Sequence, residues 1–103
     1  MSDFKLTKEQ REWCKKKRRQ GLSCKEQEGI LKEQKGLCAL SGCKMIFNPV
    51  LGKPIQGGTG CHPLYPAVDH KDPGNSKGDF QIVCYALNDV KGHLSNEMFR
   101  ISL

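Results

Sequence analysis

Three groups of residues in this 103-residue chain have types and spacings that bear on chemistry. Cysteines stand at 14, 24, 38, 43, 61 and 84. The N-terminus has no apolar segment of the signal-peptide kind, so a reducing compartment is expected, and there such spacings read as metal ligands more readily than as disulfides. The even count leaves a disulfide framework open. Lys15, Lys16, Lys17, Arg18 and Arg19 form an unbroken run of cations. Such a run attracts polyanions by counterion release, and nucleic acid is the usual partner. A solvated helix face would look the same. The third group is Asp69, His70 and Asn88: an acid, an imidazole and a carboxamide within twenty residues.

Those residues need elements to position them. The length suits one domain. Apolar residues make up 37% and aromatics 7%, with Trp13 the single tryptophan, so the core is lean and a staple beyond apolar burial would help. Of the net charge of +6, residues 1–36 contribute eleven Lys/Arg against six Asp/Glu, a net of +5. No apolar run reaches the roughly 20 residues of a bilayer span, and Glu9, Gln10 and Glu12 interrupt any apolar stripe on the first helix. No membrane partner is expected, and a cytoplasmic location is.

The stretch from Leu6 to Gln20 has neither glycine nor proline, and Thr7 with Gln10 makes a capping box. Ser23 with Glu26 makes a second, opening a helix from about Cys24 to Gln34 that Gly36 stops. Residues 48–66 hold four of the five prolines and four of the eleven glycines and read as an irregular loop. Ala67-Val68 is a short strand leading into Asp69-His70, residues 71–79 are a turn, and Phe80-Gln81-Ile82-Val83 is a second strand. Cys84 to Lys91 suits a helix closed by Gly92, and Ser95 caps a last short helix. Asp69 and His70 thus lie at a strand end, where neighbours can both reach one site, and Asn88 lies on the following helix. Taken singly, an Asp-His pair is as readily a surface pair or turn cap, and Asn88 an ordinary helix-surface residue.

Val68-Asp69-His70-Lys71-Asp72, then Phe80-Gln81-Ile82-Val83-Cys84 and Leu87-Asn88-Asp89-Val90-Lys91-Gly92, resembles the ββα-metal (His-Me finger, HNH-like) nuclease core. Within that family it most resembles small phage HNH proteins and the recombination endonuclease VII group. Cys38-Ala39-Leu40-Ser41-Gly42-Cys43 resembles the knuckle that opens those domains. The resemblance covers roughly residues 30–100. It implies a small α+β domain: a basic helical arm, residues 1–36, on or leading into a ββα-metal core, residues 37–103. It also implies hydrolysis of a DNA phosphodiester with one divalent ion. His70 would be the general base, Asp69 a ligand to Mg²⁺ or Mn²⁺, and Asn88 a second oxygen ligand or a lock on the strands. Lys15 to Arg19 would grip the DNA backbone without reading sequence.

Two departures from the family stand out. Relatives with structural zinc use two cysteines before the first strand and a Cys-x-x-Cys at the helix start. Cys38, Cys43 and Cys84 match three of those places, and Leu87 fills the fourth. Either Cys61 or His62 completes a Zn²⁺ site, or the cysteines are small buried hydrophobes. Cys14 and Cys24 are expected to be free thiols, and His93 lies just past the helix. Lys91 stands where some relatives carry a Glu, and it is expected to face DNA phosphate. Two other readings remain. One is a non-catalytic zinc-knuckle module that binds nucleic acid on the same scaffold. The other is a partner-binding regulator whose basic arm meets an acidic protein. A monomer would favour nicking, whereas a homodimer would cut both strands.

Overall fold

Thr7 and Ser23 start the first two helices as the sequence predicts. The computed structural model describes residues 4–52, 62–71, 79–92, 95, 96 and 98. In α1 (Lys8–Lys16) the Thr7 hydroxyl accepts from the Gln10 N–H at 3.1 Å, and the Gln10 side chain accepts from the Thr7 N–H at 2.8 Å. In α2 (Cys24–Glu33) Ser23 and Glu26 make the same reciprocal pair, at 3.2 and 3.0 Å. Each cap satisfies donors that a helix start would otherwise leave open, a contribution of about 1 kcal/mol. The bonds from Ser23 hold the Glu26 carboxyl below its usual value.

Helix α1 is shorter than the glycine-free stretch suggests, because it stops at Lys16 and Lys17 is extended. Continuing it would stack like charges one turn apart. The chain instead turns through Gln20 and Gly21, both at positive φ, and Arg19 pairs with Leu22 across the turn. That geometry returns the Arg19 guanidinium to α1. It lies 3.8 Å from the Trp13 ring centroid and donates to the Trp13 carbonyl at 2.8 Å, one of the carbonyls a helix C-terminus leaves open. Gln27, fully buried on α2, accepts from Arg19 and donates to the Lys17 and Leu22 carbonyls. The far end of α2 closes through Lys35 and Gly36 at positive φ. A Cβ on Gly36 would lie 2.6 Å from the Gln10 amide nitrogen, so that position requires glycine.

Strands β1 (Pro66–His70) and β2 (Phe80–Cys84) form an antiparallel pair in which Pro66 faces Cys84 and His70 faces Phe80. The first strand is longer than Ala67-Val68 because the pairing runs through His70. Helix α3 (Tyr85–Lys91) leaves β2 with no loop between them. Its first open N–H groups, on Tyr85 and Ala86, donate to the carbonyls of Tyr65 and Pro63 at 2.8 and 3.0 Å. The loop before β1 therefore caps the helix after β2. A 3₁₀ turn, Pro49–Gly52, lies within the stretch expected to be irregular. The turn between the strands is outside the described residues from 72 to 78. Most of the last expected helix is outside them too, although the Ser95 hydroxyl accepts from the Met98 N–H at 3.2 Å.

The outer edge of β2 is closed by a side chain. The Gln34 amide donates to the Ile82 carbonyl at 2.7 Å and accepts from the Ile82 N–H at 2.8 Å, doing the work of a third strand at one residue. Trp13, Leu22 and Leu31 from the basic arm share one core cluster with Phe47, Val68, Ile82 and Val83, and Trp13 meets Phe47 edge-on at 5.6 Å. Among the described residues the fold is a small α+β arrangement of three α-helices and a two-stranded antiparallel sheet.

Candidate functional site

Successive residues of a strand project to opposite faces, and the partners of Asp69 and His70 follow that rule. Asp69 turns toward α3 and is buried, with its side chain 8% exposed. Its Oδ2 accepts from the Lys91 ammonium at 2.6 Å and from the amide of Gln81, its cross-strand partner, at 3.1 Å. Lys91 also donates to the His70 carbonyl, and its side chain is fully buried. Gln81 exchanges two further bonds with Asn96, at 2.8 and 3.0 Å, and the Asn96 N–H donates to the Lys71 carbonyl. A buried carboxylate is thus held by an ammonium and an amide where β1, β2 and α3 meet. Burial of this kind is tolerated because both charges are paired.

The His70 imidazole belongs to the other face. It packs on Phe80 with centroids 4.6 Å apart and planes at 49°, half-buried at the last position of β1. Asn88 is half-buried on α3, three residues before Lys91. Residues three apart share a helix face, so Asn88 and Lys91 lie on one side of α3. The structure therefore turns the Asp69 carboxylate and the His70 imidazole to opposite faces, a correction to the expectation that both reach one site, and Lys91 touches His70 only through its main chain.

No family model, curated protein or solved structure matches the chain.

Asp69 and Asn88 suit a hard divalent ion in donor type, one carboxylate and one carboxamide. The carboxylate is, however, already neutralised by the Lys91 ammonium. This corrects the expectation for Lys91. Its ammonium faces inward to Asp69 and does not face solvent phosphate, because the carboxylate is the nearest charge able to compensate its burial. Sequence reasoning also missed Gln81 and Asn96. A glutamine among Phe80, Ile82 and Val83 was the available signal, since a polar residue at a buried strand position needs a partner.

The cysteines assemble only in part. Cys38 and Cys84 are buried with their sulfurs 4.0 Å apart. Burial works to raise the Cys38 thiol, but the Ser41 side chain and backbone N–H groups, that of Cys84 among them, outweigh it and hold Cys38 below its usual value. Burial raises Cys84. The tight turn from Cys38 to Cys43 has Cys38 N–H on the Cys43 carbonyl at 2.9 Å, yet the Cys43 side chain is exposed and meets the Ser41 carbonyl. Cys43 therefore does not join the other two sulfurs, a correction to the expected three-thiol set. Leu87 packs against the core, and the His62 Nδ1 accepts from the Leu64 N–H within its own loop. Among the described residues no three His, Cys, Asp or Glu side chains are placed to hold a metal ion; Cys61 and His93 lie outside those residues.

Thiol reactivity provides a direct check. Cys14 is 1% exposed, and burial pushes its thiol up to about 12. At pH 8 roughly one molecule in ten thousand would carry the Cys14 thiolate. A maleimide or iodoacetamide time course read by mass spectrometry should therefore modify Cys43 in the native state and Cys14 only on unfolding. Early Cys14 labelling would contradict the packing of α1. The protonated thiol's contribution to stability is present below its ordinary value of 9.0 and is lost as pH rises toward about 12.

Lys15, Lys16, Lys17 and Arg18 are exposed. Arg19 is half-buried, its guanidinium stacked on Trp13 and bonded to Gln27, and it lines the same cleft as Lys16 and Lys17. Burial lowers the Arg19 guanidinium from its usual value. Lys16 and Lys17 line a cleft of about 340 Å³ whose floor includes Tyr65 and the β1 residues Pro66, Ala67 and Val68. The cleft follows the strand that ends in Asp69 and His70.

Proposed function

We propose that the chain is a divalent-metal-dependent DNA endonuclease of the HNH/endonuclease VII type, built on a ββα-metal core. The observation that carries this reading is the buried Asp69 carboxylate, turned to α3 and holding a positive charge one helical turn from Asn88, with His70 next in the chain. In this reading Asp69 and Asn88 hold Mg²⁺ or Mn²⁺, which would supply charge stabilisation to the phosphoryl oxygens when bound. This reading requires the half-exposed His70 imidazole to leave Phe80 and turn to the Asp69 face, where it would accept the proton of the attacking water. The hydrogen bond from Lys91 to the His70 carbonyl keeps the end of β1 fixed against α3. Lys16 and Lys17 hold backbone phosphates along the β1 cleft, with Lys15 and Arg18 beside it. DNA is then the partner, bound by a monomer for nicking or a homodimer for double-strand breaks. Among the described residues no helix is long and apolar enough to cross a membrane.

A second reading is favoured by the same ion pair. With an ammonium already on Asp69 and the imidazole packed on Phe80, the scaffold would bind nucleic acid without cutting it. Supercoiled plasmid incubated with Mg²⁺ or Mn²⁺, beside a chelator control, separates the two. Nicking or linearisation that the chelator abolishes is expected of the nuclease. Binding that falls steeply with salt, and intact plasmid with either ion, would select the binding module.

A further inference from the structure

We infer that an aromatic hollow beside the basic cleft takes one unstacked base of a DNA strand, while the neighbouring phosphates lie on Lys16 and Lys17. The inference rests on the reading that DNA is the partner, and it concerns which feature of the DNA is held. The hollow has a volume of about 390 Å³, within the roughly 300–1,000 Å³ of small-molecule sites, and Trp13, Phe47, Pro49 and Tyr65 give it apolar walls. It adjoins the cleft of about 340 Å³ along β1, because Lys16 and Tyr65 line both. Gly52 makes room for the Tyr65 ring there, since a Cβ at position 52 would lie 2.6 Å from it. The Arg19 guanidinium, which lines the cleft, lies 3.8 Å from the centroid of the Trp13 ring, which lines the hollow. A cation therefore backs the aromatic wall.

An aromatic hollow joined to a cationic trough matches a nucleotide, whose base is flat and stacks while its phosphate is anionic. An acidic peptide would use the trough alone, and an apolar side chain the hollow alone. Glu9 and Glu12, both exposed on α1, also line the hollow. Their carboxylates repel phosphate, which directs the strand's charge toward Lys16 and Lys17, and they can accept from the N–H groups of a base edge. A base stacked and paired in a duplex cannot enter. The hollow therefore favours DNA with an unpaired base, which is the least costly to turn out.

The test uses the unaltered chain in chelator at fixed salt, so that no cleavage intervenes. Two fluorescein-labelled duplexes differ at one position, which carries either an extra unpaired adenosine or an abasic nucleotide with the same phosphate. Anisotropy should show the adenosine probe bound roughly tenfold tighter. The emission of Trp13, the single tryptophan, should change with unlabelled adenosine duplex and not with its abasic counterpart. Tyr65→Leu, its fold checked by circular dichroism, should lower the adenosine affinity to that of the abasic probe. The probe comparison needs no variant, so a poorly folded Tyr65→Leu leaves the test standing. Equal affinity for the two probes, or binding to neither, overturns the inference. So does a preference for adenosine that leaves Trp13 emission unchanged, or one that survives in folded Tyr65→Leu. Failure of the nuclease reading looks different: the adenosine preference appears, and plasmid stays intact under both ions.

Discussion

Alanine at position 70 is expected to lower divalent-dependent plasmid nicking by about 10²–10⁴-fold, the usual worth of a positioned general base. The fold should survive the change. The imidazole contributes its packing on Phe80, a contact of about 0.5–1.5 kcal/mol beyond area burial, while the bond from Lys91 is made by the His70 main chain and remains in the variant. The cations of the β1 cleft are untouched, so DNA affinity at fixed salt should change little. Initial nicking rates at saturating protein, set beside a binding isotherm, separate loss of chemistry from loss of binding. Equal rates for His70→Ala and the unaltered chain would remove His70 as the base. A parallel fall in affinity and rate would make its role one of holding DNA.

Local chemistry was readable from the sequence and long-range partnership was not. Thr7 with Gln10 and Ser23 with Glu26 announce helix starts because each box closes within four residues, and both form. The order strand, strand, helix follows from Ala67-Val68, Phe80 to Val83 and the helix-suited run after Cys84, and these elements appear in that order. Charge is different. Lys91 and Arg19 read as surface cations because nothing nearby in sequence says otherwise, yet Lys91 finds Asp69 twenty-two residues away and Arg19 folds back on Trp13. A buried cation is decided by whether the tertiary fold supplies an anion or an aromatic face, and that information is spread over several elements. The cysteines show the same limit. The resemblance grouped Cys38, Cys43 and Cys84, and the fold puts Cys38 against Cys84 but leaves the Cys43 side chain exposed at the closing end of the turn.

Breaking the Asp69–Lys91 pair from one side should destabilise the domain by about 3–5 kcal/mol, the range for stranding a buried charge. Against a total stability of about 5–15 kcal/mol, that is a large fraction for a chain of this size. Lys91→Met keeps the shape of the stem and leaves the carboxylate facing Gln81 alone. Asp69→Asn leaves the ammonium with the His70 carbonyl and a neutral amide. Removing both charges together relieves both penalties, so the double variant should be more stable than the sum of the single losses implies, by about 2 kcal/mol or more. Urea midpoints at constant slope, taken for all four chains, read this directly. Single losses under about 1 kcal/mol that simply add would mean the pair is solvated and does not hold β1 against α3.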